Sequence, residues 1–70
     1  MNLVDEIKEI VKLKTMDVPS IRNELQRSYP EASPDSLLRC ILLIAEIDPE
    51  LILDKSKSDY KFNAVGLKKG

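Results

Sequence analysis

The sequence predicts a mainly α domain: a three-helix core followed by a C-terminal β-hairpin. Three observations carry that expectation. Apolar residues recur at helical spacing in three successive stretches, each opened by a residue able to cap a helix. Pro30 closes the second stretch and Pro49 the third, because the residue before a proline is pushed out of the helical region. Beyond residue 50 the spacing shortens, and apolar residues alternate with polar ones after a polar break.

The first helix is expected over residues 3–15. Asn2 is placed to cap it, Asp5 and Glu6 lie in its first turn, and Lys12 and Lys14 lie near its end, all matching the helix dipole. Val4, Ile7 and Val11, flanked by Leu3, Ile10 and Leu13, make its apolar stripe. The second helix starts at Asp17 as cap, with Pro19 tolerated in a first turn whose amides have no intrahelical partner. Val18, Ile21 and Leu25 are its buried face, completed by Ser28 or Tyr29; Arg22, Asn23, Gln26 and Arg27 face outward.

Ser33-Pro34-Asp35-Ser36 opens the third helix, 34–47: a serine cap, a proline at the first helical position and an acid in the first turn. Leu37, Ile41 and Ile44 share one face, with Leu38, Leu42 and Ala45 beside it. Cys40, Leu43 and Ile47 widen the stripe until nearly the whole circumference is apolar, which predicts burial on most sides. Leu51-Ile52-Leu53-Asp54 reads either as a strand or as a further helical turn begun by Asp48-Pro49-Glu50. Lys55 to Asp59 is turn-like, and Tyr60, Phe62 and Ala64 alternate with Lys61, Asn63 and Val65 as in a half-buried strand. Residues 1–65 therefore form one domain, and 66–70 a flexible basic tail.

Composition limits the function classes. In 70 residues, 43% apolar and 33% charged with a net charge of −1, there is material for one small core. A chain this short buries only about 60% of its unfolded surface, so marginal stability is expected and self-association is left open. The first 15 residues alternate charge with Leu, Ile and Val, unlike a signal peptide. The longest uncharged apolar run, 40–45, falls far short of the ~20 residues of a membrane span. No membrane association is expected, and the localisation predicted is cytoplasmic. With no histidine and one cysteine, neither a metal site nor an intramolecular disulfide is expected, and no cofactor. Both glycines lie in the last five residues, so no Gly-rich phosphate loop exists, and no nucleophile has a plausible partner base. The expectation is a non-enzyme without a small-molecule substrate. Charge is unevenly placed: residues 1–30 sum to zero, 31–54 to −5 and 55–70 to +4.

Helix, helix, short link, helix, strand, polar turn and aromatic strand is the order of a winged helix-turn-helix. Ile21-x-x-x-Leu25, Tyr29-Pro30-Glu31-x-Ser33, Leu37-x-Arg39-x-Ile41-x-x-Ile44, Leu51-Ile52 and Tyr60-Lys61-Phe62 resemble small prokaryotic winged-helix regulators. The nearest spacing is that of the DNA-binding half of the ferric-uptake regulators. The resemblance covers about residues 17–65. That family also carries a histidine-rich, metal-binding dimerisation domain, absent from this sequence, so metal sensing is not carried over. The resemblance implies a small duplex-DNA-binding protein, a transcriptional regulator or accessory factor acting as a homodimer. Helix 34–47 would enter the major groove with Asp35, Ser36 and Arg39 facing bases or phosphates. Arg39 suits this, since its planar fork takes guanine O6 and N7, or a phosphate, with two bonds. Lys55, Lys57 and Lys61 would form a basic wing over residues 55–61, and Arg22 would add a contact from the second helix.

Other residues argue for a second class. One arginine amid Glu31, Asp35, Glu46 and Asp48 presents a repulsive field to a polyanion, and this fold would expose the apolar Leu38 and Leu42. Both fit a protein-interaction or dimerisation module in which Leu38 and Leu42 contact a second copy or a protein partner, with no nucleic acid. Arg39 either reads a base or pairs with Asp35 one turn away. The lysines of 55–61 are either a wing or a solvated loop. Tyr60 and Phe62 either stack on single-stranded bases or pack under the helices. Cys40 is expected in the core.

Overall fold

The computed structural model describes residues 2–55, 59 and 63–68. Three helices and a small three-stranded antiparallel sheet make a mainly α fold. In chain order the elements are α1 (Leu3–Val11), β1 (Met16–Asp17), α2 (Val18–Ser28), α3 (Pro34–Ile47), β2 (Leu51–Asp54) and β3 (Ala64–Leu67).

The helix starts fall where the capping residues put them. Asn2 accepts from the Asp5 amide at 2.9 Å, Asp17 from the Ser20 amide at 2.9 Å, and Ser33 from the Ser36 amide at 3.2 Å. Each bond satisfies one of the amides that a helix start leaves without a partner. The first helix ends earlier than its sequence predicts, at Val11 rather than residue 15. Its next turn has nothing to bury: Lys12, Lys14 and Thr15 are exposed, and Leu13 is 93% exposed. The chain leaves the helix there and sets Met16 and Asp17 against β3, two residues too few to show an alternation in sequence.

Residues 51–54 are a strand, not a further helical turn. β2 pairs with β3 from Leu51↔Leu67 to Asp54↔Ala64, and the sheet order β1-β3-β2 places the last strand in the middle. The strand expected over 60–65 therefore lies at 64–67, and its aromatic part, Tyr60 and Phe62, falls outside the described residues. Gly66 and Leu67 belong to β3 rather than to a flexible tail, and the Lys68 amide donates to the Glu50 carbonyl at 2.7 Å. Residues 69–70 also fall outside the description. Gly66 has a steric reason to be glycine: a Cβ there would stand 2.7 Å from Thr15 Oγ1.

One core joins all three helices to the sheet. Ile7 and Val11 of α1, Val18, Ile21 and Leu25 of α2, and Leu37, Ile41 and Ala45 of α3 meet Leu51 and Val65. The third helix is buried along one stripe, not on most sides. Leu38 and Leu42 are half-buried and packed against the core. They are less exposed than the seam expectation supposes. Leu43 and Ile47 of the same helix are more exposed, at 60% and 70%.

Candidate nucleic-acid interface

The turn between α2 and α3 is built by one side chain. Gln26, expected to face outward, is half-buried, and its amide nitrogen donates to the Tyr29 carbonyl at 2.9 Å and the Ala32 carbonyl at 2.7 Å. Its oxygen accepts from Arg22 Nη1 at 3.1 Å. The Ala32 amide closes the turn on the Tyr29 carbonyl at 3.1 Å. Tyr29 ties the turn to α1 by donating its hydroxyl to Glu6 Oε1 at 3.0 Å, and this carboxylate, with some desolvation, raises the phenol above its ordinary value. The Arg22/Gln26 spacing of four is the only sequence signal of this arrangement.

Beyond the turn, one face of the first half of α3 is open to solvent. Ser33 caps it and donates its hydroxyl to Ser36 Oγ at 2.8 Å. Asp35, Ser36 and Arg39 are exposed, and Ser36 and Arg39 lie on one face, a turn apart. Arg39 makes no ion pair among the described residues; the pairing with Asp35 does not form.

The remaining candidates are less available. Arg22 spends its guanidinium on Gln26 and Asn23. Lys55, just past β2, pairs with Glu46 in the last turn of α3. Lys57 and Lys61 lie outside the described residues. The structure thus places Ser36 and Arg39 together, keeps Arg22 on its own helix surface, and ties Lys55 to an acid. Cys40 is half-buried rather than fully in the core.

The far end of α3 is acidic and pinned to α1. Lys8 Nζ lies 3.1 Å from Asp48 Oδ2 and 2.6 Å from Glu50 Oε2. Hydrogen bonds to Glu50 and Asp48 raise the Lys8 ammonium above its ordinary pKa. The Glu50 amide, donating to Asp48 at 2.8 Å, holds the Asp48 carboxyl below its own. Beside this cluster is an open apolar groove of about 300 Å³, lined by Val4, Leu43, Ile44, Ile47, Asp48 and Pro49. No sequence signal separated these apolar residues from the core ones, because the stripe of α3 is continuous around the helix.

Among the described residues no group of three or more metal-ligating side chains comes together. No described helix is long and apolar enough to cross a membrane. Comparison with protein families, with curated proteins and with solved structures finds no match.

Proposed function

We propose that this chain is a small winged-helix module that binds duplex DNA, of the kind used by transcriptional regulators or their accessory factors. The observation that carries the reading is one arrangement: α2, a turn clamped by Gln26, and α3 with Ser36 and Arg39 exposed, followed directly by an antiparallel hairpin. The first half of α3 enters the major groove, with Arg39 as its one cation. The segment joining β2 to β3 carries Lys55, Lys57 and Lys61 and serves as the wing.

Binding is tested by fluorescence anisotropy with a labelled generic duplex, titrated between about 50 and 200 mM salt. Binding at low salt that weakens linearly on a log–log plot is the expected result. Lys57→Glu should lower that slope by about 0.9, the value of one phosphate contact. Arg39→Ala should reduce discrimination between sites by about 1–3 kcal/mol if Arg39 contacts a base. Absence of binding at micromolar protein and low salt overturns the reading. A protein-docking module then replaces it, favoured by the exposure of Leu43 and Ile47.

A further inference from the structure

Among the described residues, two apolar features left unused by the core and by the proposed DNA contact lie at the two ends of α1. The first is the groove of Val4, Leu43, Ile44, Ile47, Asp48 and Pro49, about 300 Å³, which lies at the start of α1 and the end of α3. That volume is at the small end for ligand pockets, suited to an aliphatic side chain rather than to a large ligand. The second is Leu13, 93% exposed just past the end of α1 and flanked by exposed Lys12 and Lys14. A leucine so exposed has no packing role in a single copy.

The charges around the two features are complementary. Asp48 lines the groove, and Glu50 joins it through their shared partner Lys8, an excess of one carboxylate. Lys12 and Lys14, beside Leu13, make no ion pair among the described residues. A chain cannot fill its own groove. Val4 and Leu13 lie toward opposite ends of α1, roughly 13 Å apart along its axis at 1.5 Å per residue.

We propose that the chain self-associates head to tail: Leu13 of one copy enters the Val4–Leu43–Ile47 groove of the next, with its flanking lysines against the acidic rim. The contact is heterologous, so copies add end to end instead of stopping at a symmetric pair. It uses neither Arg39 nor the wing, and it stands or falls independently of DNA binding.

The test is sedimentation equilibrium of the full chain without DNA, at low ionic strength and protein up to about 1 mM, a range that detects weak contacts. The expected result is an average mass that rises with concentration and falls back as salt screens the rim. Leu13→Asp and Ile47→Gln, both at exposed positions, should keep the wild-type melting temperature and each stay monomeric. Their equimolar mixture is the decisive sample. The intact groove of the Leu13 variant accepts the intact Leu13 of the Ile47 variant, giving a one-to-one dimer and nothing larger. The proposal is overturned if the wild type is monomeric throughout, if Leu13→Asp associates like the wild type, or if the mixture stays monomeric. Association lost in Ile47→Gln alone would mark a symmetric contact and would overturn it equally.

Discussion

Gln26 is the residue on which the candidate interface most depends. Its side chain satisfies two turn carbonyls at once, so the entry angle of α3 is fixed by hydrogen bonds and not only by packing. Gln26→Ala should cost about 1–2 kcal/mol, since half-buried acceptors lose their donors. Urea unfolding measures this, and an unchanged midpoint would mean that water replaces the amide without loss. Asp17 links a single residue to pH. Hydrogen bonds from the Ser20 hydroxyl and then from its backbone N–H hold the Asp17 carboxyl below its ordinary 3.8. A carboxylate lowered in the folded state stabilises the fold above the unfolded value, and that contribution is lost as pH falls through the folded one. Asp48 behaves alike. Asp17→Asn keeps a capping oxygen but cannot titrate, so its loss of melting temperature between about pH 7 and pH 3 should be smaller than in the wild type. Equal acid losses would remove Asp17 from the account.

At the scale of elements, helix starts were legible and strand limits were not. Asn2, Asp17 and Ser33 announce their helices because capping is local chemistry, written within four residues. The end of α1 and the place of β3 depend on contacts between residues about fifty positions apart, such as Met16↔Val65, which periodicity does not register. Of the candidate site, Ser36 and Arg39 were legible from the helix start, whereas Lys55's engagement with Glu46 and the clamp at Gln26 depend on the finished fold. Gly66 reads as part of the terminal tail from its position alone, yet it lies in β3, where Thr15 comes close. Gly66→Ala should therefore destabilise by about 0.5–1.5 kcal/mol, the cost of turning the Thr15 hydroxyl out of the way. Thr15→Ala added to it should recover most of that loss, because the crowding atom is the threonine hydroxyl. Thermal melts of the two single variants and the double variant measure the coupling, and additive losses would show that Thr15 is not the obstacle.

For the molecule as a whole, the placement of charge outweighs the total. A net charge of −1 hides an α3 whose exposed end is acidic and a following segment rich in lysine. The Glu46–Lys55 pair couples the two, and on the proposed DNA-binding reading it would hold that lysine away from phosphate. Glu46→Gln should thus strengthen duplex binding and steepen its salt dependence by about 0.9, as one lysine becomes free to displace a counterion. A variant with wild-type affinity and slope would show that Lys55 takes no part in binding.

The strand order has a consequence for how the molecule comes into being. Synthesis delivers β1 first and β2 next, yet neither pairs with the other; both pair with β3, which emerges last of the three. Until residues 64–67 are in place, the core lacks Val65 and neither β1 nor β2 has a strand to pair with. A single short strand thus joins β1 to β2 and brings Val65 into the apolar centre at the same time.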